Sequence, residues 1–281
     1  MPSRSAYEVI DFGGGARLER FGERTVDRPY PVALGARSNP SAWLAPDLRF
    51  DRDRGWTGPG MDGLPWPFRH DRLTLELRAT EAGQVGLFPE HFAMTGWLRA
   101  RVEEGSAAGA SPPILHLFAY TGWGTLTMAQ AGAQVTHVDA SRPAVAWARR
   151  NAELSSLADR PIRWIVDDAR GFVEREARRG RRYAGVVLDP PTYGHGPGTR
   201  PWRLEDDLPR LLEACGRLLE PGGFVLLTAH TPGFDAERLG RTLTDTLRRS
   251  RGDIEGGELA VSTEDGRALE LGAFARTTGG A

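Results

Sequence analysis

"ILHLFAYTGWGTLTMAQAGAQVTHVDAS", residues 114–141, runs through three patterns in succession. "ILHLFA" is an apolar run bounded by turn residues, the signature of a buried strand. "YTGWG" is a glycine-bearing turn, and "LTMAQAG" after it has helical character. "QVTHVD" is a second apolar strand, and it ends on an acid, Asp139. Strand, turn, helix and strand within so short a span is a βαβ unit, whose two strands must be parallel neighbours.

The same rhythm continues downstream. "RPAVAWARRNAEL" reads as a helix opened by Ser141 as cap, with Pro143 in its first turn. "IRWIVD" is a third strand, and "ARGFVEREARRG" a helix closed by Gly180. "YAGVVLD" is a fourth strand, "LEDDLPRLLEACGRLLE" a helix and "GGFVLLTAH" a fifth strand. This alternation predicts an α/β, doubly wound parallel sheet of Rossmann-like type. "GELAVS", the turn "TEDGR" and "ALELGAFAR" predict an antiparallel hairpin on the sheet edge.

Upstream the texture differs. Residues 1–85 carry short alternating runs ("YEVIDFG", "ARLERFG", "RLTLELRAT") between glycine and aspartate turns, which predicts a small β-rich domain. Trp43, Trp56 and Trp66 are read as filling its core. Residues 86–113 join a helix-compatible stretch, "FPEHFAMTGWLRARVEE", to the linker-like "GSAAGASPP". The second domain is then expected over 114–281.

Composition narrows the function classes. The 281 residues are 40% hydrophobic with a formal net charge of −1, so a polycationic nucleic-acid packer is excluded. The single cysteine, Cys215, excludes an internal disulfide and a thiolate zinc cluster. No apolar run reaches the roughly 18 residues of a membrane helix, and the first residues lack the apolar stretch of a signal peptide. A cytoplasmic location is expected, with neither membrane nor metal as partner; the oligomeric state is open. Every one of the 36 basic residues is arginine, which reads as the bias of a G+C-rich genome rather than a set of phosphate forks. The arginine run 175–183 is read as a solvated helix end.

In open α/β sheets ligands bind at the carboxyl ends of the strands, near the switch in strand order. The first strand leaves through Gly122 and Gly124, where backbone can approach a ligand. Thr127 stands where a dinucleotide fingerprint needs its third glycine, which disfavours a dehydrogenase. Asp139, leaving the second strand, is placed to accept from both hydroxyls of a ribose; it also suits the start of the following helix. Asp168, after the third strand, can accept from an adenine amino group, with Asp167 as its solvated competitor. After the fourth strand comes "DPPTYGHGPG", residues 189–198. Asp189 and the carbonyl of Pro190, stiffened by Pro191, can grip the amino or ring-nitrogen edge of a planar substrate. Tyr193 can stack on that ring, as suits a base flipped from its helix. His195 lies in the same loop and reads more readily as a bystander.

"FAYTGWGTL", "VTHVDAS", "DDAR" and "LDPPTYG" together resemble the glycine loop, ribose acid, adenine acid and Asp-Pro-Pro motifs of class I S-adenosylmethionine-dependent methyltransferases. The nearer likeness is to the bacterial large-subunit ribosomal RNA methyltransferases, through "RRNAEL", "FVEREARRGRRYAGVVLDPPTYGHG" and "WRLEDDLPRLL". It covers about residues 85–275. The resemblance implies that S-adenosylmethionine is bound by Phe118, Tyr120, Thr121, Gly122 and Gly124, by Asp139, Ala140 and Ser141, and by Asp168, Ala169 and Asp189. Phe88 is implied as a wall over the cofactor, or else a plain core residue. Asp189, Pro190 and Tyr193 are implied as the catalytic set, and RNA as the substrate. Members that methylate pyrimidine carbon use a cysteine nucleophile. Here Cys215 shares a helical face with Leu211, Leu212, Leu218 and Leu219, so that route is excluded; transfer to a ring or exocyclic nitrogen, or to oxygen, remains, and "DPPT" followed by an aromatic resembles the guanine-N7 methylating domains of the group. A methyltransferase for a small molecule or protein, and a module that binds cofactor or RNA without turnover, are the alternatives.

Overall fold

The structure, a computed structural model, describes residues 7–106, 109–194, 200–247 and 253–277. By its contacts the chain divides into two units: Met1–Glu90 with Ala260–Glu270, and His91–Leu259 with Leu271–Ala281.

In the first unit β1 (Tyr7–Gly13), β2 (Ala16–Phe21) and β3 (Arg24–Pro29) form an antiparallel meander. β4 (Leu48–Asp51) joins β3 in parallel and β5 (Gly55–Thr57) closes the row. β6 (Trp66–His70) and β7 (Leu73–Leu77) pair as a separate hairpin. Leu18, Phe21, Val26, Leu48, Phe68 and Leu75 are buried at the centre. Trp43 and Trp66 are buried too, while Trp56 is half-buried and donates to the Thr80 carbonyl at 2.7 Å. Asp11 is a buried hub, accepting from the Trp43 indole at 2.8 Å, the Asn39 N–H at 2.9 Å and Arg267. Burial alone would raise its pKa, but these donors outweigh it and bring it down to about 2.

The second unit is built on a seven-stranded sheet. Its members are β8 (Pro113–Leu117), β9 (Gln134–Asp139), β10 (Ile162–Val166), β11 (Tyr183–Leu188), β14 (Leu219–Ala229), β15 (Ile254–Ser262) and β16 (Ala268–Thr277). The order is β10-β9-β8-β11-β14-β16-β15. The first five are parallel, and β16 runs antiparallel to β14. This is the doubly wound sheet with an edge hairpin that the alternation predicts. The order reverses at β8, so the exits of β8 and β11 flank the switch point. β11 shows what close packing there requires: a Cβ on Gly185 would stand 2.2 Å from the Phe224 ring.

Between the strands lie α1 (Thr95–Gly105), α2 (Trp123–Gln130), α3 (Arg142–Leu154), α4 (Ala169–Arg178), α5 (Leu204–Gly216) and α6 (Ala236–Thr246). Ser141 caps α3 through the Ala144 N–H, Asp168 caps α4, and Asp235 caps α6 through the Arg238 N–H. Three acids in the first turn of α5 favour its start. That helix stops at Gly216, earlier than its leucine pattern suggests, because Leu218 and Leu219 turn into β14. Likewise the helix expected from Phe88 begins as a 3-10 turn, Pro89–Met94, before α1. Two short strands, β12 (Tyr193–Gly194) and β13 (Trp202–Arg203), pair beyond β11. No helix among the described residues is long and apolar enough to cross a membrane.

Candidate active site

The exit of β8 is conformationally unusual. Phe118 and Tyr120 hold φ of +53° and +48°, and Gly122 holds +89°. Side chains other than glycine rarely accept that left-handed region, which costs on the order of 1–3 kcal/mol each. Hydrogen bonds hold the loop there: Ala119 N–H to Val138 O at 3.1 Å, and Tyr120 N–H to the Asp139 carboxylate at 2.8 Å. The Asn151 amide donates to Thr121 O at 2.9 Å. α2 then starts at Gly122 with no side-chain cap, leaving its first-turn N–H groups to other acceptors.

The two glycines answer to packing as well as to approach. A Cβ on Gly124 would lie 2.9 Å from the His116 ring, and one on Gly122 3.0 Å from Ala148. Beneath them Thr125 Oγ1 lies 2.8 Å from His116 Nδ1 and 2.9 Å from His137 Nδ1. One hydroxyl proton serves two rings, so the Thr125 hydroxyl donates to one imidazole and accepts from the other. Burial holds both rings neutral: His116 is brought down to about 3, and His137 well below the usual range.

Asp139 accepts from Tyr120 N–H and from Ser141 N–H, each at 2.8 Å. Burial raises its pKa against the pull of those two bonds. Ala140 and Ser141 follow it directly. Asp168 caps α4 through Arg170 N–H at 3.0 Å and Gly171 N–H at 3.2 Å, and pairs with the Arg170 guanidinium; Ala169 opens the helix. Asp167 is tied to Arg175 and to the Asp139 carbonyl. The arginine run is likewise engaged in local pairs, with Arg179 on Glu176 and Arg182 on the Arg217 carbonyl.

At the β11 exit Asp189 accepts from the Thr228 hydroxyl at 2.6 Å. Its Oδ1 lies 3.3 Å from His230 Nε2 and its Oδ2 3.7 Å from His91 Nε2. Burial would raise its pKa, yet the two imidazoles and the hydroxyl hold it well below the usual carboxylate range. Asp189 is therefore an ionised acceptor at neutral pH. Trp202 bridges this exit to the β8 loop: its indole donates to Pro191 O at 2.7 Å and its ring lies 5.0 Å from Phe118. Thr192 and Thr231 share a hydrogen bond of 2.7 Å. Tyr193 stands 70% exposed beside them.

The structure thus gathers Phe118 to Gly124, Asp139 to Ser141, Asp168, Ala169 and the Asp189-Pro190-Pro191 segment along one edge of one sheet. Phe88 belongs to the other unit, where it is half-buried. His195 lies outside the described residues. Cys215 is fully buried in α5 and burial pushes its thiol up to about 12. Sequence reasoning missed His91 and His230. His230 follows the fifth strand, so reading that exit like the other four would have found it. A cavity of about 450 Å³, lined by Arg101, Glu104, Pro113, Ala184, Glu220 and Phe224, opens at the opposite ends of the strands and touches none of these groups.

No family model matches the chain. Ribosomal RNA large subunit methyltransferase K/L of Methylococcus capsulatus is 32% identical over 152 residues, which is 53% of this chain and 20% of that protein. The chain spans about a quarter or less of the curated relatives it matches. A Streptococcus mutans structure, 12% identical with a TM-score of 0.68 over 94% of this chain and 71% of that one, shares the fold. The crystal structure of a SAM-dependent methyltransferase from Agrobacterium tumefaciens is 35% identical, with a TM-score of 0.92 over 99% of this chain and 91% of that one. With near full-length likeness on both sides, the chain belongs to the SAM-dependent methyltransferases.

Proposed function

We propose that the protein transfers the methyl group of S-adenosylmethionine to a nitrogen of a base in RNA, ribosomal RNA foremost, without a covalent enzyme intermediate. The observation that carries this is the β11 exit, an ionised Asp189 followed by two prolines and an exposed aromatic ring. The naming of the large-subunit relatives supports RNA as the substrate class. In this reading the β8 loop and Ala140–Ser141 surround the methionine and ribose, Asp139 accepts from the ribose hydroxyls, and Asp168 with Ala169 meets the adenine. Asp189 and the Pro190 carbonyl align the nitrogen with the sulfonium methyl, and Tyr193 stacks on the base. A ring nitrogen carries its own lone pair, so alignment supplies the rate, up to roughly 7–11 kcal/mol for well-oriented reactants. The balanced net charge of −1 favours one alternative, a small-molecule or protein acceptor. Mass spectrometry of RNA nucleosides from a strain lacking the gene separates the two. A modification that vanishes and returns on complementation supports RNA; an unchanged profile sinks it.

Two variants test the assignment of parts. Asp139→Ala removes a charged acceptor worth roughly 1.5–3 kcal/mol and is expected to weaken cofactor binding about tenfold or more in calorimetry. An unchanged dissociation constant would leave Asp139 as a loop and helix-end anchor only. Cys215→Ala is expected to keep methyl transfer, at a stability cost of about 1 kcal/mol, since the buried thiol reaches no substrate. A folded but inactive Cys215→Ala would overturn the noncovalent route.

A further inference from the structure

We propose that His91, His230 and Asp189 form a binding site for a divalent first-row transition metal, zinc foremost, with one coordination position left open. The three come from separate elements: the 3-10 turn Pro89–Met94, the exit of β14 and the exit of β11. Each offers one ligand atom, and these atoms all lie within 4.8 Å of one another. The two Nε2 atoms are 3.1 Å apart, and Asp189 turns one oxygen to each ring, at 3.3 and 3.7 Å. Bonds of 2.0–2.1 Å to a tetrahedral zinc give donor-to-donor edges of about 3.3 Å, so the two imidazole nitrogens already stand near that spacing and the carboxylate has to turn to bring one oxygen to both.

The surrounding contacts are those that metal ligands require. His230 Nδ1 lies 2.7 Å from the Leu271 carbonyl. That oxygen can only accept, so Nδ1 carries the proton and Nε2 is the nitrogen turned toward His91 and Asp189. The Thr228 hydroxyl fixes the carboxylate at 2.6 Å. Trp123 lies 6.3 Å from the His91 ring and 5.6 Å from Phe92, an apolar neighbour on that side of the site. Two imidazoles and a carboxylate suit zinc or iron(II) rather than magnesium or calcium, which take oxygen donors. Among the described residues three protein ligands rather than four converge, which leaves a position for water or a substrate atom. The alternative occupant is a single proton shared by the two Nε2 atoms. The metal site rests on this ligand set and not on the identity of the methyl acceptor, so the two can fail separately.

The test is cobalt(II) titration of the chelator-dialysed protein near neutral pH, read by the visible bands of tetrahedral cobalt, with zinc as competitor. Wild type is expected to saturate at one ion per chain and to give up cobalt to zinc. His91→Ala and His230→Ala are expected to lose affinity by more than about 100-fold, and Thr228→Val by about 10–100-fold, as outer-shell partners do. His70→Gln, in the other unit, should leave binding unchanged. Should a histidine variant fail to fold, Thr228→Val and the zinc-dependent rise of the wild-type unfolding temperature decide the matter. No saturating band in wild type, or full binding by folded His91→Ala and His230→Ala, would overturn the site in favour of the shared proton.

Discussion

Asp189→Ala is expected to lower kcat by at least about 10²–10³-fold, the cost of deleting one preorganised polar group at a reacting centre, while cofactor affinity falls much less. The separation follows from where the contacts lie. The other groups assigned to the cofactor sit on the β8 loop and at the β9 and β10 exits, held by the Tyr120–Asp139 and Asp168–Arg170 bonds. Removing Asp189 touches none of these. It does remove the acceptor that Thr228 and two imidazoles hold ionised. Asp189→Asn keeps an acceptor oxygen without the charge and should lie between wild type and alanine. Tyr193 reports on the other half of the encounter. Tyr193→Ala should raise KM by roughly 5–150-fold, the equivalent of 1–3 kcal/mol of base stacking, and Tyr193→Phe should be nearly silent. Single-turnover kinetics at saturating cofactor, with calorimetry on each variant, gives the readout. An active Asp189→Ala would remove the β11 exit from the chemistry, and a silent Tyr193→Ala would remove stacking.

How far the site was legible follows from what each residue type advertises. The parallel strands are buried on both faces, so they stand out as apolar runs, and the acids Asp139, Asp168 and Asp189 mark where those runs end. The left-handed loop was not legible. Phe118 and Tyr120 carry φ values that a sequence reader reserves for glycine, and hydrogen bonds donated by the loop to Val138 and Asp139 help to make them tenable. His91 and His230 are separated by 139 positions, and no spacing rule joins them. β4 and β5 are too short to show alternation. α6 carries a legible pattern, with Asp235 as cap and Leu239 and Leu243 one turn apart on its buried face.

The buried histidines beneath the glycine loop lead to the second large effect, an early loss of stability in acid. The unfolded chain binds a proton on each ring near pH 6.5, whereas folded His116 does so only at about 3 and folded His137 well below its usual value. Between those limits the unfolded state holds more protons, so stability falls as pH falls, by about 1.4 kcal/mol per pH unit for each ring. From pH 6.5 to 4.5 His116 by itself therefore removes about 2 kcal/mol, and His137 adds to the loss in the same direction, a large share of the whole stability of many domains, about 5–15 kcal/mol. The neighbours do not cancel this. Asp189 pulls the His116 pKa upward, but His91 opposes it, and His116 and Arg149 both disfavour a proton on His137. Carboxylates with depressed pKa values, Asp189 and Asp11 among them, add their loss only below about pH 4. Urea unfolding at pH 7 and pH 4.5 measures the effect, and hydrogen exchange at the α2 and β9 amides locates it. His116→Asn with His137→Asn places an uncharged amide near each Nδ1 position, so Thr125 keeps partners. That variant should be less stable at neutral pH and nearly flat between pH 6.5 and 4.5. An acid slope undiminished in it would assign the loss to other groups and leave the two rings a purely steric role beneath Gly122 and Gly124.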